Sequence, residues 1–428
     1  MGTDKVYNSI EEVLDIAESA EGKTVGEFDI NNRLDSRGNK GGIGQVLEEG
    51  LFKMAVNSRA EADFVDLGLE LKVTAIKENK KNDFSAKERL VLNIINYEED
   101  YKDSFEESSF WQKNKNLLVI FYLYKDELDK KDFPIIKSVL HNFDPVDLEI
   151  IKQDWQTIID KIKAGEAHNI SEGDTMYLAA CTKGANAKSI RKQPFSNIPA
   201  KQRAFSLKSS YMSAFARRVI DRQLIPSLFN VDELKSKTTL QLLQERFAPY
   251  IGKRVSEIAK LVDIPVTKNK AFNANLISAV LGVKGTKLES LREFSKANIK
   301  FKTIRLEPTG IPKEHMSFEQ IDFHRWVNDA WEDSQLYEKF EYTKYLFVVF
   351  QYDETEKENK NREPYLKGIM LWNMPEVVIE HELKELWKTT KAILEEGVQL
   401  TPVRNGVSNN LPGASFNGIC HIRPKARD

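Results

Sequence analysis

Between Ala62 and Lys77 the chain reads ADFVDLGLELKVTAIK. Val65, Leu67, Leu69, Leu71 and Val73 are apolar, and Asp66, Gly68, Glu70, Lys72 and Thr74 fall between them. Alternation of this kind predicts a strand with one buried face. Glu70 and Lys72 would then emerge together on its wet face, about 7 Å apart along the strand. Elsewhere the period changes. Ile10, Val13, Leu14 and Ala17 keep helical spacing behind Ser9 and Glu12, which can form a capping box. Leu117 to Tyr124 and Leu346 to Tyr352 are unbroken apolar runs, the pattern of central strands covered on both faces.

Compared with itself, the chain repeats. GKTVGEF at Gly22 is similar to GKRVSEI at Gly252, and LELKVT at Leu69 to IKFKTI at Ile299. The apolar runs at Leu117 and Leu346 follow in the same order, then DWQTIIDKIKAGE at Asp154 and LWKTTKAILEEGV at Leu386. Trp155 and Trp387, like Gly165 and Gly397, are 232 residues apart. Collinear matches at nearly one offset predict an α+β protein built as two tandem related copies. The expected division is residues 1–220, a linker at 221–235, and residues 236–428. The second copy has lost acids. Lys300 stands where Glu70 stands, Gly282 lies near the place of Glu48, and Glu293 falls opposite Asp63. Lys302 keeps the place of Lys72. One copy reads as an engine and the other as a binding module on the same frame.

Composition narrows the function. The chain has 428 residues, 41% of them apolar, which suits a globular protein of more than one domain. It has no apolar run long enough to span a membrane, and the acidic N-terminus has no apolar export core. Cys181 and Cys420 form no CxxC pair, which points to a reducing cytoplasm. No HExxH and no GxxxxGK[ST] occurs, so a zinc enzyme or a nucleotide-driven motor is not expected. Net charge is −2, but the average hides an asymmetry. From Thr175 to Ile220 there are 46 residues without an Asp or Glu, and nine lysines and arginines. Such a run predicts a basic surface facing a polyanion.

Asp63, Glu70 and Lys72 are spaced D-x6-E-x-K. Two carboxylates and a lysine suit phosphodiester hydrolysis with Mg²⁺, which takes hard oxygen ligands and leaves room for phosphate and water. Alternation alone would put Asp63 on the opposite face from Glu70. The chemistry therefore requires a bend between them, and Gly68 is a place where the backbone can adapt. By itself the spacing fits a solvated strand better than a metal site.

The neighbourhood adds to it. GIGQVLEE, DFVDLGLELK, DWQTIIDKIKAGE, TKGANAK and RAFSLKSSYMSAF resemble, in order, the landmarks of the MutH-type endonucleases across roughly residues 10–218. SAKERLVLNIINYE and KQRAFSLKSSYM are similar to the family's GATC-cutting restriction branch, which also carries a second, degenerate copy. The resemblance implies a restriction-endonuclease-like fold, with a mixed central sheet flanked by helices, and a Mg²⁺-dependent type II restriction endonuclease acting on double-stranded GATC DNA. A GATC-nicking repair enzyme and a non-enzymatic DNA-binding regulator remain as alternatives.

By position the resemblance implies that Asp63 and Glu70 bind metal, that Lys72 is catalytic, and that Glu48 is a further acid, with Glu49 its neighbour. It implies an active-site role for Lys113, with Lys115 close by. Lys40 and Gly41 in RGNKGGIG occupy the place of a loop that approaches DNA. Thr182, Lys183, Asn186 and Lys188 fall in the recognition loop, where lysine serves guanine or phosphate and asparagine suits adenine. Ser206 lies where the repair branch has a tyrosine near the target adenine, a departure that argues against sensing of adenine methylation; Lys208 is a further candidate for DNA binding. In the second copy Arg423, Pro424 and Lys425 take the recognition-loop position. That copy stops about 35 residues sooner than the first and is expected to be a shortened, inactive, DNA-binding regulator. Two cuts are expected to come from a dimer on DNA or from sequential nicking; no nucleotide and no membrane partner is expected.

Overall fold

The computed structural model describes residues 5–35, 41–56, 61–79, 83–184, 189–269, 271–404 and 406–423. Helix α1 (Ile10–Glu18) starts at Ser9, whose hydroxyl accepts the Glu12 amide at 3.2 Å, and it buries Val13 and Ala17. The chain then turns at Gly22, in the left-handed region at φ 81°. The Gly22 amide donates to Ile135 O at 2.8 Å and Ile135 N returns a bond to Lys23 O at 2.8 Å. This clips the turn to the start of a sheet strand.

That sheet contains β1 (Glu70–Glu78), β2 (Phe84–Ala86), β4 (Asn116–Leu123) and β5 (Ile135–Asn142), in the order β2-β1-β4-β5. The strands β1 and β4 are parallel; the other neighbours are antiparallel. Leu117 to Phe121 are fully buried, as an unbroken apolar run requires. A second sheet pairs β3 (Leu90–Ile94) and β6 (Leu178–Thr182) on either side of β9 (Arg203–Leu207), and β7 (Ile190–Gln193) and β8 (Ser196–Lys201) form a separate ribbon.

The helices around these sheets are α2 (Gly42–Val46), α3 (Ser109–Asn114), α4 (Pro145–Lys163), α5 (Ser209–Val219) and α6 (Val231–Ser236). Helix α4 buries Ile151, Trp155, Ile158 and Ile162 along one stripe. Its buried Asp154 accepts the amides of Met176, Tyr177 and Leu178, which fixes the entry to β6.

The rest of the chain comprises α7 (Thr239–Phe247), α8 (Val255–Leu261), α9 (Phe272–Val280), α10 (Arg292–Lys296), β10 (Ile299–Leu306), α11 (Phe323–Asn328), α12 (Gln335–Glu341), β11 (Lys344–Gln351), β12 (Tyr365–Trp372), α13 (Glu376–Val378), α14 (Lys384–Glu396), β13 (Leu400–Val403) and β14 (Gly406–Asn409). The expected repeat is visible in hydrogen bonds. Strands β10 and β11 are parallel and β12 is antiparallel to β11, the arrangement of β1, β4 and β5. Gly252, at φ 80°, donates to Leu366 O at 2.8 Å, and Leu366 N returns a bond to Lys253 O at 2.9 Å. This is the clip of Gly22 again, 230 residues later. The protein is α+β, with two tandem copies of one frame.

Packing divides the chain on other lines than sequence does. One compact unit is Met1–Ile170 with Asp174–Leu242 and Thr286–Asn298; the other is Ser171–Gly173, Leu243–Gly285 and Ile299–Asp428. The stretch expected to be a linker is built into the first unit. There α6 buries Leu234, and Gln153 on α4 donates to Leu234 O at 2.7 Å. The strip 286–298, which follows the repeat into the second copy, also packs in the first unit. Glu293 is fully buried and accepts the Ser227 hydroxyl and the Leu228 and Phe229 amides. Among the described residues no helix is long and apolar enough to cross a membrane.

Candidate active site

The predicted strand over residues 62–77 is in fact a turn followed by a strand. Val65–Leu67 forms one 3₁₀ turn, Gly68 is left-handed at φ 57°, and Phe64 pairs with Leu69 across it. The alternation before Glu70 therefore belongs to a hairpin. Folding back lets Phe64 bury its ring edge-on against Tyr7 and Phe52, at the cost of leaving Val65 51% exposed. The bend that the chemistry required is here, at the glycine. It brings Asp63 beside the first turn of β1: Leu71 N donates to Asp63 Oδ2 at 2.9 Å, and Asp63 N donates to Glu70 Oε2 at 3.2 Å.

Glu70 and Lys72 are not on a wet face. Glu70 is 3% exposed; β1 has buried residues on both of its faces. Lys72 Nζ lies 2.6 Å from Glu70 Oε1, and Lys113 Nζ approaches the same oxygen at 3.6 Å from α3. Lys113 also donates to Glu61 O at 3.0 Å. Lys115 takes no part; its Nζ lies with Gln112 at 3.4 Å.

Glu48 arrives from a different element. Helix α2 widens into a π turn over Leu47–Leu51, a local irregularity common at functional sites. Within it Gly50 lies so close to the Phe28 carbonyl that an added Cβ would stand 1.8 Å from the oxygen. Glu48 faces a cleft of about 230 Å³ that it shares with Lys5, Tyr7, Met54, Asp63 and Asp66. Its neighbour Glu49 takes the other side and accepts both arms of Arg33, at 2.5 and 2.6 Å, and Asn31 at 2.9 Å. Burial, with the negative charges of Asp63 and Glu70, pushes the Glu48 carboxyl up to about 7. Burial also raises Glu70, against the pull of Lys72.

Among the described residues, no three acid, histidine or cysteine side chains form a ready-made metal cage. The donors present still suit a hard cation. Asp63 and Glu70 offer two carboxylates joined through the hairpin, with Glu48 across the cleft, and Mg²⁺ typically takes one or two carboxylates and completes its shell with phosphate and water. The Glu48 carboxyl is raised first by burial and then by the charges of Asp63 and Glu70, with Lys72 offsetting part of the effect.

The residues expected to meet DNA divide. Thr182 and Lys183 are exposed at the end of β6, Gly41 caps α2, and Arg423 is exposed. Lys40, Asn186, Lys188, Pro424 and Lys425 lie outside the described residues. Ser206 and Lys208 are buried rather than exposed. Ser206 is fully buried in β9 with its hydroxyl toward Ala179 O, and Lys208, 5% exposed, donates to Thr175 O at 2.7 Å. Both brace the second sheet. Beyond the recognition loop, Arg191, Lys192 and Lys201 stand exposed on the β7–β8 ribbon.

In the second copy Glu293 is consumed by the bonds to residues 227–229. Sequence comparison missed one counterpart. Helix α3 is capped by Ser108, which accepts from Trp111 N at 3.2 Å, and α12 by Ser334, which accepts from Tyr337 N at 3.2 Å. Lys113 and Lys339 are each the fifth residue of their helix. The shared cap serine is the signal that could have found Lys339. No local signal could have found Arg33, sixteen residues from Glu49.

Comparison with known proteins identifies the family. The family described as DNA mismatch repair enzyme MutH matches twice, over residues 52–154 and 285–385. The Type II restriction enzyme Sau3AI of Staphylococcus aureus is 37% identical over 430 residues, covering 95% of this chain and 86% of that protein. The DNA mismatch repair protein MutH of Shewanella woodyi is 26% identical over 194 residues, 44% of this chain and 82% of the relative. That of Serratia proteamaculans is 25% identical over 218 residues, 49% of this chain and 92% of the relative. A full-length match to a restriction enzyme, and a family domain found twice on one repeated frame, place this chain in the MutH-type endonuclease family, among its restriction endonucleases.

Proposed function

We propose that this DNA endonuclease is a type II restriction enzyme that hydrolyses double-stranded DNA at GATC with Mg²⁺ in the cytoplasm. The carrying observation is the meeting of Asp63, Glu70, Lys72 and Lys113 across the hairpin at Gly68. Residues 1–220 read as the copy that cuts, and residues 236–428 as an inactive copy that binds DNA and regulates.

Asp63 and Glu70 would hold the cation, with Glu48 across the cleft. Bound Mg²⁺ supplies charge neutralisation at the scissile phosphate and a water of lowered pKa. The Lys72 ammonium, held on Glu70, orients the attacking water, and Lys113 offsets charge that develops on the phosphate. Burial pushes the Glu48 carboxyl up to about 7, and it stands with Asp63 on the wall of the cleft. The buried rings of Tyr7, Phe52 and Phe64 keep water from the back of the hairpin. With one cutting centre per chain, two cuts require a dimer on DNA or two successive nicks.

The test is cleavage of plasmids with one and two GATC sites. Linear product with Mg²⁺ and none with a chelator is expected. Glu70→Ala should bind a GATC duplex about as well as the parent and cut nothing; normal turnover by that variant would sink the metal assignment. Nicked circles as the only product would favour the repair-type reading. Lys183→Ala should weaken binding and reduce the salt slope by about one unit.

A further inference from the structure

The second copy keeps the two lysines of the frame and puts a third, Lys300, where the first copy has Glu70. On β1, Glu70 and Lys72 stand opposite Leu117 and Val119, the second and fourth residues of β4. On β10, Lys300 and Lys302 stand opposite Tyr345 and Phe347, the second and fourth residues of β11. Lys339 on α12 takes the place of Lys113 on α3. The cutting centre has two acids and two lysines; its counterpart has three lysines.

These lysines are tied to one short segment. Lys302 Nζ donates to Ser317 O at 2.8 Å and lies 5.1 Å above the Phe318 ring. Lys339 Nζ pairs with Glu319 at 2.8 Å. Lys300 and Lys302, two apart on β10, share a face. The Glu319 carboxylate is held below its usual range by the hydrogen bond from Lys339, with the charges of Lys300 and Lys302 also contributing. Burial and then the charge of Lys339 lower Lys302. The one carboxylate named here is 72% exposed, so it is easily exchanged for another anion.

We propose that Lys300, Lys302 and Lys339 form a phosphodiester-binding site for a DNA strand, in which the Lys300 ammonium takes the place of the Glu70 carboxylate beside two lysines that both copies keep. This rests on the reading that the second copy binds DNA. Lys302 is held by the Ser317 carbonyl and fixes the register, the exposed Lys300 reaches outward, and Glu319 gives up Lys339 to the incoming phosphate. Without acids to hold a metal, the site binds a strand and leaves it whole.

The test uses the full chain in chelator with a GATC duplex that carries photoreactive groups on its backbone. Crosslinked peptides are mapped, and affinity is measured against salt for Lys300→Glu, Lys300→Arg, Lys339→Ala and, as a control on an exposed face of α14, Lys388→Ala. Each variant's melting curve is recorded beside its affinity. Crosslinks within 299–319 or 335–341 are expected. Lys300→Glu should abolish them, weaken binding about tenfold, and lower the salt slope by about 0.9 per lost phosphate contact. Lys300→Arg and Lys388→Ala should match the parent. Crosslinks confined to other parts of 299–428, with Lys300→Glu binding as the parent, would overturn the site and leave a DNA-binding second copy standing. No crosslink anywhere in 243–285 or 299–428 would overturn that underlying reading as well. Lys300-dependent thermal stabilisation by inorganic phosphate, with no effect of Lys300→Glu on DNA, would assign the site to free phosphate and refute the DNA proposal.

Discussion

Glu48 and Glu49 share a peptide bond, and the π turn sends one to the cleft and the other to Arg33. Two donors from one guanidinium, plus Asn31, leave Glu49 a single orientation, and that anchors the turn that carries Glu48. Arg33→Ala should therefore lower the cleavage rate roughly 10- to 100-fold through a misplaced Glu48, with DNA affinity largely kept. Initial rates against Mg²⁺ concentration check this, and Arg33→Lys should recover only part of the loss because it lacks the two-armed fit. Gly50 is constrained from behind. Gly50→Ala puts a methyl group into the Phe28 carbonyl, and the turn or the Phe28 segment must move. A stability loss of about 1–3 kcal/mol is expected in denaturant unfolding, with a fall in cleavage beyond what that loss explains.

At the scale of elements, the first half of the predicted strand became a hairpin because a left-handed glycine and a buried phenylalanine outweighed alternation. Periodicity registers which residues are apolar. It does not register that Phe64 and Leu69 face each other. Strand β5 shows a second effect of burial. His141 lies among Phe143, Tyr211 and Phe215, with its ring 4.3 Å from that of Phe215. Burial, then the charges of Arg218 and Lys296, pull its pKa down to about 3. The folded state therefore keeps His141 neutral while the unfolded chain takes up a proton below about 6.5. Stability from this group is fully present above that pH and is lost as pH falls from about 6.5 toward 3. Melting temperature measured over that range should decline with acid, and His141→Phe should flatten the part of the slope between about pH 6.5 and 5.

At the scale of the molecule, the first unit is closed by residues that sequence assigns to the second copy. Lys296 on α10 pairs with Asp147 on α4, both nearly inaccessible, and Arg292 reaches Asp144 at 2.7 Å. The Asp147 side chain also accepts the Tyr211 hydroxyl at 3.1 Å. Lys296→Ala would leave a buried carboxylate without its counter-charge. A loss of roughly 3–5 kcal/mol is expected for the unfolding transition of the first unit. Asp147→Asn combined with Lys296→Met should recover much of it, since removing both charges costs less than stranding one. Denaturant unfolding followed by tryptophan fluorescence checks both.

The sequence by itself determined the repeat, the two central strand runs, the α+β class and the residue types of the candidate centre. Those features are local or are copied at a fixed offset, so one dimension carries them. Which of Glu48 and Glu49 faces the cleft, which of Lys113 and Lys115 lies near Glu70, the burial of Ser206 and Lys208, and the docking of 286–298 were set only by the tertiary structure. Each depends on which distant backbone or side chain stands opposite: Phe28 behind Gly50, Arg33 beside Glu49, Glu61 near Lys113, Thr175 over Lys208, Asp147 under Lys296. Spacing along the chain cannot encode such partners, because burial and hydrogen bonding act on proximity in space.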